Sequence, residues 1–230
     1  MAETNQSVAK TPGPLQWIVW SALGLTIVAI LLAFLRSPSR VARSSAAFPV
    51  LFPAPEFTLT NQQGQPVTLS SLKGHVWIAD IVFTRCGGPC PAMTRKMADL
   101  QSALPSDAKV KLVTFTADPE FDTPSVLSNY ARGLGADPNR WLFLTGTKQQ
   151  IVAAAVDGLK FIAREKEPAQ RENDADLFIH STLFLLVDQR GQVRGIFESE
   201  NYEAPGKPVS GDANVKPQLL EAISRLLREK

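Results

Sequence analysis

The chain has 230 residues, 44% of them hydrophobic and 20% charged, with a formal net charge of +2. That balance supports one buried core, and a charge so near zero, with no long basic run, excludes a nucleic-acid-binding footprint. Two cysteines and two histidines leave few residues able to carry redox or metal chemistry.

Residues 1–14 form a polar N-terminal tail with Pro12 and Pro14. Residues 15–35 (LQWIVWSALGLTIVAILLAFL) carry no charge. As a helix they would cross a hydrocarbon core of about 30 Å, which predicts a single transmembrane helix with Trp17 and Trp20 at one interface and Arg36 beyond the other. The run exceeds the roughly 7 to 15 residues of a signal-peptide core. An uncleaved anchor is therefore favoured over a leader removed near Ser44, Ser45, Ala46 and Ala47. Lys10 is the only basic residue before the span, whereas Arg36, Arg40 and Arg43 follow it; taken alone, the positive-inside rule would put the rest of the chain in the cytoplasm. Residues 36–53, rich in Ser, Ala, Arg and Pro, read as a linker, and 54–230 as one domain.

The domain opens on a hairpin signal, Glu56 to Thr60 and Pro66 to Leu69 around a turn at Asn61 to Gly64. His75 to Phe83 (HVWIADIVF) is nearly continuous apolar sequence, as in a strand buried on both faces, interrupted only by Asp80. Pro91 starts a helix with Met93, Met97, Leu100 and Leu104 on one face, ending near Pro105. Lys109 to Thr116 alternates as a strand. Thr123-Pro124 caps a helix to about Leu134, Trp141 to Leu144 reads as a strand, and Thr147 caps a helix to about Val156. Residues 163–176 (AREKEPAQRENDAD) read as an exposed, charged insertion. Phe178 to Val187 and Gln192 to Phe197 form a hairpin around Gln189-Arg190-Gly191, and 215–229 close the chain as an amphipathic helix. The βαβα rhythm places these elements in an α/β fold.

Cys86 and Cys90 lie on the loop between a buried strand and a helix, the end of the sheet where α/β proteins keep their sites. Their spacing allows a disulfide or a shared metal ion. With Pro91 at the first helical position, Cys90 is expected to be the N-cap, where free amides and the helix dipole favour a thiolate. Arg85 adds positive charge, and Gly87-Gly88-Pro89 exposes the loop, against a reading of two inert buried thiols. Two thiolates and an imidazole suit Cu(I), with zinc as a competitor. His180, at the mouth of an apolar strand, is the candidate third ligand; a structural histidine is the plainer reading. Asp80 is either a hydrogen-bonded structural acid or a proton acceptor tuning the thiols. Met93 could offer a thioether, but its helical phase says core. Asp118 and Asp122 read as turn and capping residues, and His75 as the start of its strand.

Taken together these segments resemble the Sco (SenC) family of membrane-anchored, thioredoxin-fold proteins. The resemblance rests on Phe83-Thr84-x-Cys86-x-x-x-Cys90-Pro91, on Ala117-Asp118-Pro119-Glu120-Phe121-Asp122-Thr123-Pro124 with Leu127 and Tyr130, on Asp137-Pro138-Asn139-Arg140-Trp141, and on His180-Ser181-Thr182 before Val187-Asp188. It implies a thioredoxin-like fold, a central mixed sheet flanked by helices. It also implies that copper, as Cu(I) or Cu(II), is held by Cys86, Cys90 and His180. The implied function is a metallochaperone in cytochrome c oxidase assembly whose partner is oxidase subunit II or another copper or dithiol protein. The implied location is the cell inner membrane, single-pass, with the domain on the periplasmic side. The alternative is a membrane-tethered thiol-disulfide oxidoreductase using Cys86 and Cys90 as a redox dithiol without His180. Family members usually carry Pro, often with an acidic residue, between the cysteines. Gly87-Gly88-Pro89 departs from that toward a thioredoxin Cys-Gly-Pro-Cys with one glycine added, a looser loop expected either to weaken metal affinity or to favour disulfide exchange.

Overall fold

The computed structural model describes residues 14–36, 48–107, 109–171, 173, 176–202 and 214–229. The chain divides into two compact units, Met1–Ala47 and Phe48–Lys230.

In the first unit, helix α1 spans Pro14–Arg36. Trp17, Ile18, Val19 and Trp20 are all more than half exposed although they point in four directions around the axis. Such a helix is apolar on every side. Among the described residues, no helix is long and apolar enough to cross a membrane.

In the second unit, six strands form one mixed sheet in the order β1-β10-β9-β4-β5-β6. These are β1 (Phe52–Pro53), β4 (Val76–Val82), β5 (Val110–Thr116), β6 (Trp141–Leu144), β9 (Leu183–Val187) and β10 (Gln192–Glu198). β4, β5 and β6 run parallel, whereas β9, β10 and β1 are joined antiparallel. All seven residues of β4 are buried, which explains its unbroken apolar sequence. β2 (Thr58–Thr60) and β3 (Pro66–Thr68) make the expected hairpin, and β3 runs into the one-turn helix α2 (Leu69–Leu72), where Thr68 and Ser71 form a capping box. Residues 48–53, read as the end of the linker, join this unit: Phe52 and Pro53 pair with Val193 and Gln192.

Helix α3 (Cys90–Ala103) buries Met93, Met97 and Leu100, the spacing read from the sequence. Met93 is therefore core. Helix α4 (Pro124–Gly133) starts as expected on Thr123, whose hydroxyl accepts from Val126 N. Helix α5 (Lys148–Ile151) opens on a Thr147/Gln150 capping box and widens into a π-helix over Val152–Gly158. It stops at Gly158, where a Cβ would stand 2.2 Å from Pro55 Cγ. Helix α6 (Val215–Leu226) buries Leu219, Ala222, Ile223 and Leu226.

The segment 178–187, expected as one strand, is two. β8 (Phe178–His180) leaves the main sheet and pairs with β7 (Ala163–Glu165) in a separate ribbon, so part of the supposed charged insertion is strand. Ser181 makes the break: its hydroxyl accepts from Ile162 N at 2.6 Å and its own N–H donates to Ile162 O at 2.9 Å. Both edges of the main sheet are managed. On β6, the Gln62 amide donates to Trp141 O and accepts from Phe143 N, standing in for a further strand. On the other side β1 covers the start of β10, which a register shift between Val193 and Gly195 then bends.

Buried Arg194 pins the entry to the unit. Its guanidinium pairs with Asp188 at 2.7 Å and Glu229 at 2.8 Å, and Nε donates to Phe48 O at 2.9 Å.

Candidate metal centre

Topology brings the three candidate side chains together. β4 ends at Val82 and releases the chain toward Cys86, while antiparallel β9 begins at that same end of the sheet, just after His180. One ligand atom from each of Cys86, Cys90 and His180 lies within 4.8 Å of the others. His180 Nε2 stands 3.1 Å from Cys90 Sγ and 3.9 Å from Cys86 Sγ. Its Nδ1 is 3.1 Å from Ser181 O. A carbonyl can only accept, so Nδ1–H donates to it, which turns Nε2 toward the two sulfurs. The ring sits edge-on to Phe83, which Phe178 also contacts.

The two cysteines differ. Both thiols are free, Cys90 buried and Cys86 half-buried. Helix α3 begins at Cys90 with Pro89 as N-cap, so the expected N-cap role of Cys90 is corrected by one position. Its sulfur turns inward, and Gly88 N–H points instead at Cys86 Sγ, 3.3 Å away. Hydrogen bonding from Cys90 holds the Cys86 thiol well below its usual range; burial opposes this, and His180 and Gly88 N–H add to it. The same bond, with burial, pushes Cys90 up. Cys86 is thus the thiolate and Cys90 the proton-bearing partner.

A second set of residues, read from sequence as turn and capping groups, holds the loop that leads to Cys86. Asp122, with no exposed surface, accepts from Thr84 N at 3.1 Å, from the Thr84 hydroxyl, and from the Thr116 hydroxyl at 2.5 Å. Asp118 takes Arg85 at 2.5 Å, and the guanidinium lies 4.1 Å over the Phe121 ring. The loop after β5 thereby grips Thr84 and Arg85. The signal available in sequence was the neighbouring parallel strand, whose end must lie beside the Cys86 loop.

Asp80, opposite Thr114 in the β4–β5 register, has no exposed surface and no hydrogen-bond partner for either oxygen. Burial raises its pKa to about 7, opposed by the Thr114 hydroxyl, which lies beyond bonding geometry, and by His180. It is not the hydrogen-bonded acid that one sequence reading offered. His75, read as the start of its strand, lies one residue before β4.

Residues 52–207 match the family described as SCO1/SenC. The SCO1 protein homolog of Bacillus subtilis is 38% identical over 147 residues, covering 63% of this chain and 73% of the homolog. BsSco, described as a member of the Sco family of cytochrome c oxidase assembly proteins with an identified disulfide switch, matches with a TM-score of 0.63 at 31% identity, over 79% of this chain and 97% of BsSco. Bradyrhizobium japonicum ScoI with copper bound matches with a TM-score of 0.59 at 25% identity, over 76% of this chain and 98% of ScoI. The mixed α/β, thioredoxin-like fold expected from the sequence is the fold of these structures.

Proposed function

The chain belongs to the SCO1/SenC family, and from that premise we propose that it binds copper through Cys86, Cys90 and His180 and serves cytochrome c oxidase assembly as a metallochaperone. The observation that carries this reading is the convergence of the His180 ring on the two sulfurs, Nε2 lying 3.1 Å from Cys90 Sγ and 3.9 Å from Cys86 Sγ. Two thiolates and an imidazole form a soft donor set that suits Cu(I). Donors bonded to one metal at about 2.0–2.3 Å stand roughly 3 to 4 Å apart, and these spacings fall in that range. Dithiol exchange needs only the two sulfurs, whereas a third donor at these distances completes a metal-ligand set, which favours copper over the oxidoreductase alternative. Copper, as Cu(I) or Cu(II), is cargo, and the receiver is subunit II of the oxidase or another copper or dithiol protein.

We assign residues 15–35 to a single membrane span, supported by their lack of charge and by helix α1 over Pro14–Arg36, although the described part of that helix is by itself not long and apolar enough to cross. We place this span in the cell inner membrane, single-pass, with the domain on the periplasmic side, as the sequence resemblance implies, against the basic residues after the span.

Copper titration of the full chain tests the site, with zinc counted beside copper. One Cu(I) per chain is expected, with Cys86→Ser abolishing tight binding and His180→Ala weakening it at least about tenfold. Stoichiometric binding indifferent to His180→Ala would remove the reading. Carbonate extraction and protease protection test the span and its orientation.

A further inference from the structure

The ribbon carrying His180 has one edge occupied and one open. Lys166 N donates to Leu177 O and Ser181 N to Ile162 O, so residues 177, 179 and 181 turn their main-chain groups toward β7. Antiparallel alternation then turns the N–H and C=O of Phe178 and His180 the other way. Among the described residues no hydrogen bond reaches those four groups. The main sheet meets its edges with Gln62, β1 and a bulge, whereas among the described residues β8 has no such cover.

β8 also lines a cavity of about 350 Å³, through Phe178, Ile179 and His180, with Lys166, Asn173 and Asp176 contributing from the turn end of the ribbon. The Cys86 loop, with Gly87, Gly88 and Pro89, also lines it. Two of these residues have no side chain, which leaves their main chain open to close approach.

We propose that this cleft receives an extended segment of the partner protein, added as a third strand on β8 through the backbone of Phe178 and His180, with a cysteine of that segment brought to Cys86. The inference rests on the copper-handling reading and deepens it: the receiving thiol enters by main-chain pairing, so recognition requires an extended conformation and a cysteine and places few demands on neighbouring side chains.

The test uses the full chain with Cys90→Ser and a short synthetic peptide whose single central cysteine is blocked as a thionitrobenzoate disulfide. The Cys86 thiolate attacks the peptide sulfur, a Cys86–peptide disulfide forms, the blocked disulfide breaks, and coloured thionitrobenzoate leaves with the electron pair. Backbone N-methylation of the peptide at alternate residues, sparing the cysteine, blocks pairing on one edge only. The set facing β8 is expected to slow capture about tenfold or more, and the complementary set to leave it within about twofold. In the captured complex, amide exchange at Phe178 and His180 should slow while that at Ile179, already paired with β7, stays unchanged. Equal effects of the two sets, or unchanged exchange at Phe178 and His180, would overturn the proposal. Failure of the copper titration is scored separately, because capture involves no metal.

Discussion

Asp80 gives the strongest prediction about pH. Its carboxyl is buried at the centre of the sheet with neither oxygen partnered, and its pKa is raised from 3.8 to about 7. Between those values the folded state binds a proton that the unfolded state has lost, so stability falls as pH rises. The group's contribution is fully present below the unfolded value and is lost as pH passes through the folded one. The linkage relation puts the loss between pH 5 and pH 9 at about 3 kcal/mol. Asp80→Asn removes the titration at the cost of a second unpaired donor, about 1 kcal/mol. Urea unfolding across that range should therefore show profiles that cross: wild type more stable at pH 5, the variant more stable at pH 9. Parallel profiles would refute the reasoning, since they would mean that Asp80 is solvated or paired in solution.

Four further outcomes follow from contacts already described. Asp122→Ala strands Thr84 N–H and two hydroxyls and should cost about 2–4 kcal/mol in urea unfolding, with faster alkylation of a loosened Cys86. Gln62→Ala bares the β6 edge at Trp141 O and Phe143 N; a loss of about 2 kcal/mol by thermal unfolding is expected. Arg194→Met leaves Asp188 buried without its cation and should cost about 3–5 kcal/mol by the same measurement. Because the Cys86 pKa is depressed, its thiolate persists as pH falls. Iodoacetamide should modify Cys86 at nearly the same rate at pH 8 and pH 6, where an ordinary thiol would slow on the order of a hundredfold, and mass mapping should find Cys90 spared.

The parts of the fold legible in the sequence were those whose partners are everywhere or adjacent. β4 announces itself because burial on both faces demands an unbroken apolar run, and α4 because Thr123 and Pro124 act within one turn. The split of 178–187 was hidden, since FIHSTLFLLV is apolar throughout and the break depends on Ser181 meeting Ile162, 19 residues away. Strand β7 was hidden for a related reason: a solvated two-stranded ribbon accepts Arg164 and Glu165 without an apolar face. The Cys86, Cys90 and His180 set was readable from residue type and family likeness. The service of Asp118 and Asp122 to the Cys86 loop was not, because their partners lie 33 and 38 residues back and only the parallel pairing of β4 with β5 makes them neighbours.

Arg194 has a mechanical consequence. Phe48, Asp188 and the Gly74–Gln189 contact gather at the start of β4, whereas Cys86 lies past its far end, and the seven residues between span about 23 Å. Tension arriving along the chain at Phe48 is borne by Arg194, Asp188 and Glu229 at one pole of the domain. The sulfurs occupy the other pole, outside that load path, so a pull at Phe48 leaves the donor atoms undeformed.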